Sequence, residues 1–159
     1  MPVNQSRPSP LAEGRLYLKE DELDRAVDLV FVASRRFWKY AAEALDARQL
    51  GPAHYRALAA VRREEGIPVS ELQSRLGVRK QSLARVLSEL EEGGFLRREP
   101  GQEDRRQRLV FLSEAGREAE REASAALRER LGQVFRTAGA EAVSGARAVW
   151  TALAAEPEE

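Results

Sequence analysis

The sequence predicts a mainly α-helical protein that carries one small β-hairpin. Three observations support this fold class. Apolar residues recur at intervals of three, four or seven over most of the chain, which is the spacing of one helix face. Glycine and proline divide these stretches at Gly51-Pro52, Gly77, Gly93-Gly94 and Gly139. Residues 95–112 depart from the helical pattern, because two short apolar runs there flank a charged turn.

Composition excludes several classes of protein. The 159 residues favour one compact domain, or one small domain with helical appendages. The absence of cysteine excludes disulfides, zinc–thiolate sites and iron–sulfur clusters, and the single histidine, His54, leaves little for a transition-metal site or a catalytic triad. Carboxylate pairs such as Glu64-Glu65 have no companion nucleophile or glycine loop. We therefore expect no metal, no cofactor and no enzymatic activity.

The N-terminus and the charge distribution bear on location and partners. The opening residues, MPVNQSRPSP, have neither the basic nor the apolar region of a signal peptide, and no run of 18 apolar residues occurs. We therefore expect a cytoplasmic protein with no membrane partner. The formal net charge is zero, but residues 70–108 are the most positive part, with 9 basic and 7 acidic groups.

The N-terminal part of the chain divides into a tail and two helices. Residues 1–15 are rich in proline and small polar residues, which predicts a disordered tail. Residues 16–50 contain a long helix, about 21–48, whose apolar residues on two sides predict that it is buried on both. A second helix over 53–65 follows Gly51-Pro52, since proline suits a first helical turn.

The next segment has the pattern of two short helices and a hairpin. Ser70 and Gln73 form a capping box that predicts a helix over 70–76. A second helix over 80–92 has an apolar stripe of Leu83, Val86, Leu87 and Leu90. Strands at 95–99 and 107–112 complete the order helix, turn, helix, hairpin, which predicts a winged helix-turn-helix domain over residues 51–112.

Hydrogen-bond donors cluster where such a domain would meet DNA. The second helix of a helix-turn-helix inserts its first residues into the major groove, and the donors at that position are Arg79, Lys80, Gln81, Ser82 and Arg85. The hairpin tip carries Asp104, Arg105, Arg106 and Arg108, and arginine suits a narrow minor groove. The alternative is an ordinary solvated charged surface.

The helix-turn-helix and hairpin segments resemble those of the MarR family of winged-helix transcriptional regulators, and of its PetP-like subgroup in particular. The stretch LGVRKQSLARVLSELEEGGFLRR of this chain is similar to the recognition helix of the family. Asp104, Arg106 and Leu112-Ser113 are similar to the family's wing motif. The resemblance covers roughly residues 16–155 in element order, with its specific motifs in 70–116. It implies that Arg106 enters the minor groove and that Asp104 orients it. Two departures, Arg79 for a capping serine and Gln81 for proline, predict a looser helix start or a different base preference.

The outer helices predict a homodimer. Residues 16–50 and 113–156, where helices are expected at 113–136 and 140–155, carry more apolar surface than residues 52–112 can cover. The resemblance likewise implies a twofold dimer of N- and C-terminal helices. The expected interface residues are Leu16, Leu23, Phe135, Val149, Trp150 and Leu153. The alternative is a monomer in which these helices fold back on the chain.

A ligand pocket is implied by the resemblance, between the junction of the first two helices and the helix after the wing. Its candidate residues are Trp38, His54 and Tyr55, and the effector expected is a small aromatic or acidic molecule. The alternative is that Trp38 and Tyr55 belong to the core, with His54 a surface group at a helix start.

The leading hypothesis is therefore a sequence-specific regulator that binds double-stranded DNA as a homodimer on a pseudo-palindromic operator. The alternative from another class is a winged-helix protein-interaction module with an incidental basic wing. RNA binding is third, because no exposed aromatic pair lies among the basic residues to stack on bases.

Overall fold

The computed structural model describes residues 19–102 and 104–155, which form six helices and three strands. The helices are α1 (Glu20–Asp46), α2 (Pro52–Arg63), α3 (Val69–Leu76), α4 (Lys80–Glu92), α5 (Glu114–Ala138) and α6 (Ala140–Ala154). The strands are β1 (Ile67–Pro68), β2 (Leu96–Pro100) and β3 (Arg108–Leu112). This order confirms the mainly helical fold with a small β-wing. The predicted tail and Leu16 lie outside the described residues.

Glycine and proline end and start the helices where the sequence predicts. Pro52 is the first residue of α2, and Gly51 before it is extended. Gly77 closes α3 in the left-handed conformation, with φ 60° and ψ 39°, and its N–H donates to the carbonyl oxygens of Gln73 and Ser74. Ser113 caps α5, since its hydroxyl accepts the Gly116 N–H at 3.1 Å.

The predicted capping box at Ser70 is wrong. Helix α3 begins one residue earlier, at Val69, and its N-cap is the extended residue Pro68, with φ −61° and ψ 142°. Ser70 therefore lies inside the first turn. Its carbonyl accepts the Ser74 hydroxyl at 3.2 Å, so the serine contributes to the helix interior and does not cap the helix.

The three strands form an antiparallel sheet in the order β1-β3-β2. Ile67 is opposite Val110 on β3, and Leu96 of β2 is opposite Leu112. The sequence predicted the β2–β3 hairpin but not β1. Strand β1 matters because it joins the loop before α3 to the base of the wing.

One hydrophobic core holds the helix-turn-helix and the wing together. Its largest fully buried side chains come from the end of α1, from α2, α3 and α4, and from β1 and β3: Leu45, Leu58, Val61, Ile67, Leu72, Leu87, Leu90, Val110 and Leu112. Ala119, Ala123 and Leu127 add the first half of α5 to this core. Helix α4 and the wing are thereby attached to one packed unit.

The chain divides into two compact units after Ser34. In the first unit the helix was expected to be buried on two sides, yet within the single chain Val27, Val30 and Phe31 are exposed. In the second unit α6 has no buried residue. None of the helices within residues 19–102 and 104–155 is long and apolar enough to cross a membrane.

Candidate nucleic-acid interface

Helix α4 has one face in the core and the opposite face in solvent. Leu83, Leu87 and Leu90 are buried, which fixes the rotation of the helix about its axis. The donors predicted to meet DNA are all exposed: Arg79, Lys80, Gln81, Ser82 and Arg85. The hydrophobic stripe therefore dictates that the polar side chains face away from the protein.

The start of α4 leaves its backbone amides available. Arg79 is the N-cap residue, with φ −64° and ψ 143°, and its side chain makes no capping hydrogen bond. Its carbonyl accepts the Leu83 N–H at 3.1 Å. A helix start without a side-chain cap has unsatisfied N–H groups and a partial positive charge, both of which suit an anionic partner.

Arg85 belongs to a polar chain that crosses from α4 to α2. Its Nε donates to Glu89 Oε1 at 2.7 Å, one turn along the same helix. Glu89 Oε2 lies 2.8 Å from His54 Nε2. Hydrogen bonds from Arg85 and then from His54 lower the pKa of the Glu89 carboxyl, while the bond to Glu89 raises the pKa of Arg85.

The tip of the wing is a turn that is closed by its own backbone. The Gly101 N–H donates to the Gln107 carbonyl at 3.1 Å, and the Gln107 N–H donates to the Asp104 carbonyl at 3.0 Å. Asp104 Oδ1 accepts the backbone N–H of Arg106 at 2.9 Å. Asp104 thus orders the backbone of the turn. The side chains of Arg105, Arg106 and Arg108 are exposed.

Glu65 fastens the base of the wing, a role that sequence reasoning missed. Its Oε2 accepts the Leu112 N–H at 3.1 Å, and its Oε1 lies 2.9 Å from Arg117 on α5. One carboxylate therefore joins the loop after α2, the end of β3 and the start of α5. The sequence showed only two adjacent glutamates after a helix.

The three candidate ligand residues fall into two separate groups. Trp38 and Tyr55 meet edge to face with ring centroids 5.8 Å apart, and Phe37 contacts Trp38 in the same way at 5.5 Å. The Tyr55 hydroxyl is 2.8 Å from Ser124 Oγ on α5. His54, in contrast, bonds to the Gly51 N–H and to Glu89, so the structure places it with α4.

The residues expected at a dimer interface are largely exposed in the single chain. Leu23 lies on the first unit. Val149, Trp150 and Leu153 lie on α6, where more than half of each side chain is exposed. Phe135 is half-buried and stacks on Trp150 with centroids 6.3 Å apart. Among residues 19–102 and 104–155, no cluster of three metal-ligating side chains is found.

Comparisons with known proteins agree with this architecture. The model of the MarR family matches residues 48–107, which include α2 to the wing turn. The HTH-type transcriptional regulator PetP of Rhodobacter capsulatus is 39% identical over 145 residues, which is 91% of this chain and 87% of PetP.

Solved structures share the fold. A mutant MarR from E. coli complexed with operator DNA is 22% identical and aligns with a TM-score of 0.71, over 84% of this chain and 96% of that one. CouR from Rhodococcus jostii bound to p-coumaroyl-CoA is 23% identical, with a TM-score of 0.70, over 86% of this chain and 95% of CouR. The winged helix-turn-helix order, the basic wing and the near full-length match to PetP lead to one conclusion: the chain belongs to the MarR family of winged-helix transcriptional regulators.

Proposed function

We propose that the protein regulates transcription as a homodimer that binds a pseudo-palindromic operator in double-stranded DNA. The observation that carries this proposal is the orientation of α4. Its leucine stripe is buried, so Lys80, Gln81, Ser82 and Arg85 face solvent together at the helix start. Side chains at this end of a recognition helix contact base edges and phosphates in the major groove.

The wing supplies a second contact in this proposal. Arg105, Arg106 and Arg108 project from a hairpin whose base is attached to the core by β1 and Glu65. An arginine inserted into a narrow minor groove gains from its enhanced negative potential. A rigid wing base would hold these side chains at a fixed distance from α4. The complex of the similar E. coli MarR with operator DNA supports the same use of the fold.

Dimerisation is proposed through the outer helices, residues 16–50 and 113–156. Leu23 on α1 and Val149, Trp150 and Leu153 on α6 are exposed apolar side chains, and extensive apolar surface rarely remains in contact with water. A twofold dimer would present two copies of α4 to successive major grooves. The preferred site would then contain two half-sites one helical turn, about 34–36 Å, apart.

A small aromatic or acidic effector is proposed at the Trp38–Tyr55 pair. These rings offer apolar contact area, and the Tyr55–Ser124 hydrogen bond lies next to them. The binding of p-coumaroyl-CoA by the similar CouR supports this candidate. In a Trp150→Phe protein, Trp38 is the only tryptophan, so a bound aromatic acid should quench its fluorescence and change DNA affinity at the same concentrations. Absence of a saturable change would remove this part of the proposal.

Selection from a random DNA pool, followed by salt titration of the selected site, tests DNA recognition directly. We expect a two-fold symmetric motif and an affinity that falls linearly in log salt, by about 0.9 log units per phosphate contact for each tenfold rise in salt. The protein-interaction hypothesis predicts no retention on DNA at any salt concentration. A selected motif consisting of one asymmetric half-site would contradict the dimeric arrangement and leave DNA binding intact.

A further inference from the structure

Both ring nitrogens of His54 form hydrogen bonds, one to the start of α2 and the other to a side chain of α4. Nδ1 accepts the backbone N–H of Gly51 at 3.0 Å, at the start of α2. Because Nδ1 is the acceptor, the ring hydrogen lies on Nε2, which donates to Glu89 Oε2 at 2.8 Å. Only 16% of the His54 side chain is exposed. The ring is therefore a short, rigid link between the α1–α2 junction and the recognition helix.

Glu89 connects His54 to Arg85, because each of its two carboxylate oxygens accepts a hydrogen bond from one of them. Its second oxygen accepts from Arg85 Nε at 2.7 Å, while the Arg85 side chain remains 81% exposed. The bond to Nε leaves the two terminal nitrogens of the guanidinium as the groups that can fork onto a phosphate or a guanine. Glu89 therefore restrains the direction of Arg85 without covering its outer end.

We propose that His54 is a positioning residue for DNA recognition, which acts through Glu89 to hold Arg85 in its binding orientation. This inference rests on the proposed function, because Arg85 must be a DNA contact for its orientation to affect affinity. An isolated pair of this kind on an exposed helix is weak, since two flexible side chains must be ordered to form it. The nearly buried His54 ring fixes one of those side chains in advance.

The arrangement also connects DNA contact to the backbone at the α1–α2 junction. Gly51 is the N-cap of α2, and the buried residue Leu50 before it donates its N–H to the Leu45 carbonyl at 2.9 Å. Movement of Gly51 away from α4 that carries the His54 ring with it would break the hydrogen bond between His54 and Glu89. Arg85 would then lose its restraint while the hydrophobic contacts of α4 stay in place.

Two conservative variants separate the two bonds of the ring. In His54→Asn, the side-chain oxygen takes the position of Nδ1 and keeps the bond to Gly51, but nothing replaces Nε2. In His54→Gln, the side chain is longer, so its amide nitrogen reaches the position of Nε2 and can donate to Glu89. Asparagine and glutamine are uncharged, and so is a histidine ring whose Nδ1 accepts a hydrogen bond. Neither substitution therefore changes the electrostatic repulsion between this site and DNA.

The test measures affinity for the selected operator in parent, Arg85→Ala and Arg106→Ala backgrounds. We expect His54→Asn to weaken binding roughly three- to tenfold in the parent and in Arg106→Ala, but not in Arg85→Ala, because coupled residues are not additive. The His54→Gln protein should bind the operator with most of the affinity of the parent. Equal losses in the Arg85→Ala and Arg106→Ala backgrounds would overturn the proposal, as would unchanged binding by His54→Asn.

A second readout does not depend on DNA binding. The Nε–Hε signal of Arg85, assigned with Arg85→Lys, should move in the nitrogen–proton correlation spectrum of the full-length His54→Asn protein and stay near the parent position in His54→Gln. An Arg85 signal that is unaffected by His54→Asn would refute the positioning role. Failure of the parent to bind DNA, with the Arg85 signal shifted as expected, would instead refute the proposed function alone.

Discussion

Gly116 packs directly against the backbone of Phe95: a β-carbon at residue 116 would lie 2.0 Å from the Phe95 carbonyl oxygen. The same oxygen accepts the Ser113 N–H at 3.0 Å. The first turn of α5 can thus approach the start of β2 only because residue 116 has no side chain. This contact joins the wing to the helix that follows it.

Gly116→Ala should therefore lower the free energy of unfolding by about 3 kcal/mol or more, at the upper end of overpacking effects, because the clash is with backbone. Urea denaturation measures the change. Gly132→Ala in the same helix is the matched control, since its new methyl would meet only the flexible end of Arg136. We expect that control to be neutral or to gain up to about 1 kcal/mol. A mild effect at Gly116 would show that α5 can move away from β2.

Tyr55→Phe should cost about 0.5–1.5 kcal/mol of stability, because it removes the hydrogen bond between α2 and the buried Ser124 hydroxyl. Ser124 also donates to Glu120, so it keeps one partner. Tyr40→Phe is the control, and the exposed Tyr40 should tolerate the change within about 0.5 kcal/mol. A double-mutant cycle with Ser124→Ala identifies the bond, since purely additive effects would exclude it as the cause.

Acid should remove part of the attachment of α4 to β2. The hydrogen bond from Arg98 holds the pKa of the Glu91 carboxyl below its ordinary value. A lowered folded-state pKa contributes stability that is complete above the ordinary glutamate pKa of about 4.3 and is lost as the pH falls through the folded value. We expect Glu91→Gln to be less stable than the parent at pH 6.5 and to approach it at pH 3. Arg98→Gln should abolish that pH-dependent difference, and a constant difference between pH 6.5 and 3 would contradict the assignment.

Arg106→Ala should weaken operator binding by about 1–3 kcal/mol and leave the fold unchanged, because the side chain is exposed at the wing tip. Fluorescence anisotropy at fixed salt measures binding, and thermal unfolding checks the fold. Arg128→Ala removes the same charge from the exposed surface of α5 and serves as the control. Equal affinities for parent and Arg106→Ala at moderate salt would exclude a wing contact.

Trp150→Glu should dissociate the proposed dimer and abolish operator binding in the same protein. Burial of an unpaired carboxylate at an interface costs several kcal/mol, so separation of the subunits is the less costly response. Light scattering reports the molar mass, and circular dichroism should still show a helical protein. Ser144→Glu adds the same charge to a face of α6 roughly 120° away from Trp150. A Trp150→Glu protein that remains dimeric would place the interface elsewhere.

The sequence predicted the elements that depend on local signals. Helix periodicity and the breaks at Pro52, Gly77 and Gly139 are local, and the structure confirms them. Strand β1 was missed because Ile67–Pro68 is too short for an alternating pattern, and it exists only through pairing with β3. The capping box failed because Pro68 already supplied an extended residue from which α3 could start.

In the candidate site, too, the sequence predicted the features that depend on local patterns and missed a contact between distant residues. The outward-facing donors of α4 follow from the leucine stripe, so the sequence located them. The contact between His54 and Glu89 joins residues 35 positions apart, and no motif marks it. Long-range polar contacts of this kind arise when separate helices pack, so the sequence did not show this one. His54 was assigned instead to the ligand pocket that the family resemblance implies at the junction of the first two helices.

The central position of β3 in the sheet has a consequence for how this regulator can change its targets. The wing tip closes on itself through Gly101, Asp104 and Gln107, whereas the sheet and the Glu65 carboxylate secure its base. Substitutions at the exposed arginines of the tip therefore do not disturb the packing on which folding depends. If the wing contacts DNA as proposed, single substitutions at its tip would change operator preference without a loss of stability and without altering the spacing between the wing and α4.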